Sequence, residues 1–366
     1  MPSPSSFIFL TCQIGAEGAA KGEIARRWPD FRFSYSRPGF LTFKLPANVT
    51  YAEDLDLESV FTRAHSFSLG KVLGDDPAEM AKKVWEIYGD RMAQRVHVWP
   101  RDAAEPGEHS FEPSLTPESF DIHQKILAAC PNTTMLAKDA SSMCRSSNRT
   151  DRGEAILDCA IVAPGEWWIG HHRVGSIVSS WPGGMLNLEL PTGVVSRAWL
   201  KLEEALRWSR LPIPADARVA EIGSAPGGAS QSLLARGCYV TGIDPAEMDP
   251  AVLAHPRFTH LRRRSTQVRR REFRKIRWLT VDMNVAPSYT LDAVEEIVTH
   301  PEVNIRGMIL TLKFPDWSLA AEVPQFIARI KSWGFNLIRA RQLQHNRREI
   351  CVAALQKPFR RKTMHD

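Results

Sequence analysis

Short apolar runs separated by Gly, Pro and polar clusters fill the chain, and their spacing changes near residue 185. In the first part, Phe7-Ile8-Phe9-Leu10-Thr11-Cys12 reads as a strand and Glu17 to Arg27 as a helix. Phe31 to Ser34 and Phe40-Leu41-Thr42-Phe43-Lys44 read as two more strands around the turn residues Arg37-Pro38-Gly39. Strand, helix, strand, strand is half of a ferredoxin-like unit. After the acidic stretch Glu53-Asp54-Leu55-Asp56-Leu57-Glu58, helical spacing recurs over Pro77–Tyr88 and Pro117–Ala129. Arg95 to Trp99 reads as a strand, and Ala155–Ala163 with Glu166–Gly170 as a hairpin around Pro164-Gly165.

A loop-like passage from Ser180-Trp181-Pro182-Gly183-Gly184 to Pro191-Thr192-Gly193 reads as a domain junction. Past it, a helix from Ser196 to Arg207 precedes alternating strands and helices. The strands are Arg218–Ile222, Tyr239–Ile243, Trp278–Val281, Met308–Leu312, Phe335–Ala340 and Ile350–Ala354, with a helix over Ala229–Ala235. Apolar strands alternating with helices predict a mostly parallel sheet covered on both faces. The short polar turn before the last strand predicts an antiparallel edge pair. The expected architecture is therefore an α/β Rossmann-like domain over 186–366, preceded by an α+β region.

Composition narrows the class. The 366 residues are 43% hydrophobic and 24% charged, which suits two or three globular cores and excludes a disordered or fibrous chain. Charge is unevenly spread. Residues 1–185 carry 19 Lys and Arg against 23 Asp and Glu, a net of −4, and residues 186–366 carry 28 against 18, a net of +10. The positive half points to a polyanionic partner. Cys12, Cys130, Cys144, Cys159, Cys238 and Cys351 are scattered, with no metal-type spacing, so neither a disulfide scaffold nor a metal site is expected. Met1 to Ser6 lack a basic leader pattern, and no apolar run is long enough to span a bilayer. A cytoplasmic protein without membrane contact is expected.

The most informative stretch is Glu221-Ile222-Gly223-Ser224-Ala225-Pro226-Gly227-Gly228. It follows a strand and opens a helix, where glycines let a ligand approach the backbone. Asp244 ends the next strand, where a carboxylate can accept hydrogen bonds from ribose hydroxyls. The loop is neither the G-x-G-x-x-G of a dinucleotide site nor a P-loop. Pro226 before paired glycines suits a nucleoside without phosphates. This disfavours an NAD(P)-dependent reductase.

These residues resemble the FtsJ-type S-adenosylmethionine-dependent RNA 2′-O-methyltransferases, whose loop reads Asp-Leu-Gly-Ala-x-Pro-Gly-Gly. The likeness extends from Ser196-Arg197-Ala198-Trp199-Leu200-Lys201-Leu202-Glu203-Glu204 through Val281-Asp282-Met283 and Leu312-Lys313-Phe314-Pro315 to Ala354. It implies S-adenosylmethionine as cofactor, held by Glu221, Gly223, Ser224, Ala225, Pro226, Gly227, Gly228, Asp244 and Asp282. It also implies a catalytic set of Lys201, Asp282, Lys313 and Glu349. Lys313, at a strand end, is the expected base. Lys201 is expected to set a second positive charge beside it and stabilise the developing alkoxide. Asp282 is expected to orient Lys313 or the cofactor, and Glu349 to orient Lys201 and the ribose.

Family members of similar layout carry N-terminal RNA-binding domains of ferredoxin-like and THUMP type and act on large-subunit rRNA. The likeness thus implies a ferredoxin-like subdomain over 1–60 and a THUMP-like RNA-recognition region over 61–180. Two departures stand out. Glu221 replaces the usual Asp, and Leu261-Arg262-Arg263-Arg264-Ser265 has no carboxylate where the family often has an adenine-binding Asp. Backbone groups or Ser265 would then hold the adenine.

The excess charge is concentrated between Arg257 and Arg277, a run that includes Arg262, Arg263, Arg264, Arg269, Arg270 and Arg271 against one Glu272. These six are the expected phosphate contacts for RNA. A second basic cluster, Lys357, Arg360, Arg361 and Lys362, reads as a tail. Trp99 and Trp167-Trp168 are either core residues or base-stacking surfaces. Rival readings are a non-catalytic RNA-binding or assembly factor that keeps the fold, and the same chemistry on tRNA or mRNA.

Overall fold

A computed structural model describes residues 5–132, 135–136 and 152–356. Cys144 and the cluster Lys357, Arg360, Arg361 and Lys362 lie outside the described residues. The chain divides into two compact units, Met1–Leu188 and Glu189–Asp366.

The first unit comprises β1 (Phe7–Thr11), α1 (Glu17–Arg27), β2 (Arg32–Arg37), β3 (Phe40–Lys44), β4 (Ala64–Leu73), α2 (Pro77–Tyr88), β5 (Arg95–Pro100), α3 (Pro117–Ala128), β6 (Ala155–Ala163) and β7 (Glu166–Arg173). Its strands form one sheet in the order β2-β3-β1-β4-β7-β6-β5. All neighbours are antiparallel except β5 and β6. Helix α2 starts where Asp76 accepts a hydrogen bond from the Ala78 amide and Pro77 presets the first turn, and it stops at Gly89. It buries Met80, Ala81, Val84, Trp85 and Tyr88, a stripe at helical spacing. Helix α3 begins with a reciprocal Thr116–Ser119 cap.

Strand β4 has no counterpart in the sequence reading, although it pairs with both β1 and β7 at the centre of the sheet. Its sequence, AHSFSLGKVL, is polar at several inward positions, and its register slips beside Gly70. Ser66 is nevertheless fully buried because it donates to the buried Asp158. The apolar alternation that marks a strand is absent where a strand serves a buried polar group.

The second unit comprises α4 (Ala198–Ser209), β8 (Arg218–Ile222), α5 (Gly228–Ala235), β9 (Tyr239–Ile243), α6 (Pro250–Leu253), β10 (Phe258–Leu261), β11 (Trp278–Val281), α7 (Pro287–Val298), β12 (Gly307–Lys313), α8 (Val323–Ser332), β13 (Leu337–Arg341) and β14 (Glu349–Leu355). The sheet runs β10-β9-β8-β11-β12-β14-β13, parallel through β12. This is the doubly wound order, with a reversal between β8 and β11. Strand β14 is antiparallel to both β12 and β13. The last strand is thus an inner strand and only β13 is at the edge, a refinement of the expected edge pair. All seven β14 residues except Leu355 are buried, which explains their unbroken apolar run.

Candidate functional site

Ligands of doubly wound sheets bind beyond the carboxyl ends of the strands at the order reversal. Here that crevice is framed by the loops after β8 and β11. Gly223 has φ +79°, and a Cβ there would lie 2.5 Å from the Asp282 carbonyl oxygen. Gly227 has φ +123°, and its Cβ would meet Val252 at 2.7 Å. Both positions therefore require glycine. Ser224 is buried and the Ala225–Pro226 peptide is cis. Asp244 accepts from the amides of Ala225 at 3.1 Å and Ala246 at 2.8 Å, so its carboxylate ties the glycine loop to the end of β9.

Four elements bring the four catalytic candidates together. Lys201 lies on α4, Asp282 follows β11, and Lys313 and Glu349 are direct register partners on β12 and β14. The Lys201 ammonium is 2.5 Å from Glu349 and 3.7 Å from Asp282. The Lys313 ammonium lies 3.1 Å from Asp282 Oδ1 as an ion pair, although that oxygen receives no aligned hydrogen bond. Burial opposes the Lys201 charge, but the carboxylates of Asp282 and Glu349 outweigh it and hold its pKa above the ordinary lysine value. Lys201 is a compensated cation, and Asp282 stands between the two ammonium groups.

Sequence reasoning missed the supports around this cluster. Asn346 donates to Glu349 Oε1 at 3.1 Å from the turn before β14. Glu204 accepts from the Gln344 and His345 amides, joining α4 to the same turn. Glu204 had a signal, being three residues after Lys201 on one helix face. Asn346, inside a polar turn, had none. A shallow pocket open to solvent is lined by Lys201, Glu221, Asp282, Asn346, Leu202 and Ile309 among others. Glu221 is buried on β8 and accepts from Ser230 at 2.5 Å. Burial pushes its pKa up to about 8 against the Ser230 hydrogen bond, helped by the charges of Asp282 and Asp244. The buried setting thus favours the protonated form of Glu221.

The arginine run folds as two 3₁₀ turns between β10 and β11, with Ser265 buried in the first. Arg262 donates to the Pro245 carbonyl and Glu247, which places it beside the Asp244 loop. Arg270, Arg271 and Arg274 pair with Glu296, Glu272 and Glu302. Arg263, Arg264 and Arg269 are exposed and have no carboxylate partner among the described residues. Half of the six expected phosphate contacts are thus engaged inside the fold.

In the first unit, Trp99 and Trp167 belong to the core, whereas Trp168 stays partly exposed. Strands β5, β6 and β7 also gather His97, Asp158 and His172, whose ligand-type atoms lie within 4.8 Å of one another. Sequence spacing does not show this grouping. His172 Nδ1 is 2.5 Å from Asp158, and Nε2 is 2.8 Å from the Ser179 carbonyl oxygen. With both ring nitrogens facing acceptors, His172 is held as a cation. Burial disfavours that charge, but Asp158 outweighs it and raises the His172 pKa. His97 is kept neutral by burial, with its pKa lowered to about 3.

The doubly wound sheet thus brings a glycine loop and a charged cluster together at its strand ends, the place where such folds bind ligands. Residues 194–323, within the second unit, match the family described as FtsJ-like methyltransferase. The chain is 33% identical over 180 residues to ribosomal RNA large subunit methyltransferase M of Halorhodospira halophila, a match covering 48% of this chain and 51% of that protein. The protein of the same name from Methylococcus capsulatus is 33% identical over 180 residues, covering 46% and 50%. The chain thus spans about half the length of these two curated relatives. The same-named protein of Yersinia pestis is 26% identical over 371 residues, covering 94% of each chain. Among solved structures, Aeropyrum pernix fibrillarin aligns with TM-score 0.34 and 14% identity, over 57% of this chain and 84% of that one.

Proposed function

We propose that the chain transfers a methyl group from S-adenosylmethionine to a ribose 2′-hydroxyl of RNA, with large-subunit rRNA as substrate. The observation that carries this reading is the joining of Lys201, Asp282, Lys313 and Glu349 at the strand ends beside the glycine loop. Residues around the loop fit the cofactor. Gly223 and Gly227 allow the tight turn that brings the loop backbone against Asp282 and Val252, and Asp244 has acceptor capacity toward ribose hydroxyls after two amide bonds. Gly223 to Gly228, Asp244, Asp282 and Glu221 form this binding set. Bound there, S-adenosylmethionine supplies a methyl group already activated on a sulfonium, so no metal is required.

The chain's residues must place the hydroxyl and take its proton. Lys313 is the assigned base, because it ends β12 at the crevice and has one carboxylate partner, whereas Lys201 is fixed between two. Lys201 remains protonated and stabilises the developing alkoxide. Asp282 holds both ammonium groups on one side of the crevice, and Glu349, steadied by Asn346, fixes Lys201. Arg263, Arg264 and Arg269 are free to contact phosphates.

No helix among the described residues is long and apolar enough to cross a membrane. The test incubates the protein with radiolabelled S-adenosylmethionine and total RNA lacking native methylation, then digests with alkali. Label in alkali-resistant dinucleotides of large-subunit rRNA is expected, because a 2′-O-methyl blocks cleavage at its own phosphodiester. Label released wholly as mononucleotides would exclude ribose methylation. Specific binding without transfer would favour an assembly factor.

A further inference from the structure

None of the six residues of β2 is buried. Residues two apart on a regular strand share a face, so Phe33 and Tyr35 should point the same way. A register shift lies between them: Phe33 pairs with Phe43 and Tyr35 with Thr42. The bulge therefore separates the two rings. Phe33 meets Phe43 and the Lys21 ammonium of α1, while Tyr35 faces the Trp168 indole. Bulges at sheet edges commonly re-aim a side chain in this way.

On β7, alternation buries Trp167 and leaves Trp168 partly exposed against the rings of Phe9 and Phe40. The Tyr35 and Trp168 rings are 13° from parallel, with centroids 6.5 Å apart. Tyr35 is 38% exposed. Two cations edge the pair. The Arg37 guanidinium is 5.9 Å from the Tyr35 ring and donates to its hydroxyl, and the Lys71 ammonium is 5.9 Å from the Trp168 ring. Both share one carboxylate, Glu166, at 2.9 and 3.5 Å, so one positive charge remains in excess.

We propose that Tyr35 and Trp168, edged by Arg37 and Lys71, form a stacking platform for an unpaired base of single-stranded RNA. Exposed aromatic faces stack on any base, and nearby cations attract the adjoining phosphates. A base within a duplex has both faces covered by its neighbours, so only an unpaired base can reach these rings. The outer edge of β2 adds backbone donors and acceptors that no strand among the described residues satisfies. The local charge excess removes the difficulty posed by the net −4 of residues 1–185, since a patch suffices. The inference rests on the reading of the chain as an RNA methyltransferase and adds a second RNA contact to it.

The test measures binding of a fluorescein-labelled single-stranded 12-nucleotide RNA to the full chain by anisotropy, alongside methyl transfer to rRNA. Tyr35→Ala should weaken oligonucleotide binding about tenfold, within the range for losing one stacked base. Tyr35→Phe should stay within about twofold, since it retains the stacking face. Because Tyr35 is exposed on an edge, its loss leaves the core intact, and unchanged circular dichroism checks this. If Tyr35→Ala binds like the parent protein, or if unlabelled duplex RNA competes as well as single strand, the platform is overturned. If no methyl is transferred yet Tyr35→Ala still weakens binding, the proposed activity fails and the platform stands.

Discussion

Asp158 and His172 meet within the sheet of the first unit, whereas Asp282 and Lys313 meet at the strand ends of the second. The two pairs have similar chemistry and opposite settings. The Asp158 side chain has no exposure, while those of Asp282 and Lys313 are each 24% exposed. A closed pair draws its hydrogen bonds from the protein, as Ser66 and Ser179 supply them for one carboxylate oxygen and one ring nitrogen. Asp158 Oδ1 and Asp282 Oδ1 both lack an aligned donor, so what sets the edge cluster apart is the partial exposure of Asp282 and Lys313 to an incoming ligand. Position on the sheet, more than residue type, separates a charge that supports the fold from one that can do chemistry.

The largest test of this contrast is Lys313→Ala. Losing a general base lowers turnover by about 10²–10⁴-fold. Because the side chain is at a partly solvated edge, unfolding free energy should change by less than about 1 kcal/mol. Methyl-transfer rates measured with denaturant melts check both halves. Retained turnover would remove Lys313 from the base role, and a large loss of stability would erase the contrast.

Asp158→Asn is its mirror image. Removing one partner of a buried pair costs about 3–5 kcal/mol, because the other charge is left uncompensated. Asp158 opposes the cost of burial through His172 and so has a lowered pKa, and His172 has a raised one. The Asp contribution is present above its unfolded value of 3.8 and lost as pH falls through the lowered folded value. The His contribution is full below its unfolded value of 6.5 and lost as pH rises through the raised folded value. The stability gap between parent and variant should thus be widest from pH 3.8 to 6.5 and narrow on both sides. Urea melts across pH test it, and a pH-independent gap would rule out the ion pair.

Glu221 is a third buried charge-bearing group, and burial keeps it neutral up to about pH 8 in the folded chain. Unfolding releases it to its ordinary value of 4.5, so the folded state holds more protons between these values and stability falls as pH rises. Glu221→Gln removes that slope. From pH 4.5 to 7 it should gain about 3 kcal/mol relative to the parent, at 1.36 kcal/mol per pH unit. Parallel pH profiles for parent and variant would show that Glu221 ionises normally.

The sequence showed the second unit more clearly than the first, for a physical reason. Strands β8, β9 and β11 are bounded in the sequence just as they are in the structure, because mostly buried, largely apolar runs end at turn residues. Strand β4 escaped notice because Ser66 serves Asp158 and Gly70 interrupts the alternation. The four charged residues of the site could be named from motif order, but their partner choice could not. Whether Lys201 presses on Lys313 or is taken up by Glu349 depends on β14 lying between β12 and β13. The His97–Asp158–His172 group comes from three strands and has no local pattern at all.

The smallest effect concerns the arginines after β10, where engaged and free cations sit in one short segment. Arg270 is held 2.6 Å from Glu296, while Arg263, Arg264 and Arg269 face solvent unpaired among the described residues. An arginine already paired gives up a partner to reach a phosphate, so its net contribution to RNA binding is small. A free one releases a counterion from the RNA at no such cost. Replacing Arg263, Arg264 and Arg269 one at a time by Gln should reduce the salt dependence of rRNA-fragment binding by about one unit of slope each, with turnover at saturating RNA preserved. Arg270→Gln should leave the slope unchanged and lower stability by at most about 1 kcal/mol, as an exposed ion pair does. Equal slopes across all four variants would mean that pairing within the fold does not decide which cations meet the RNA.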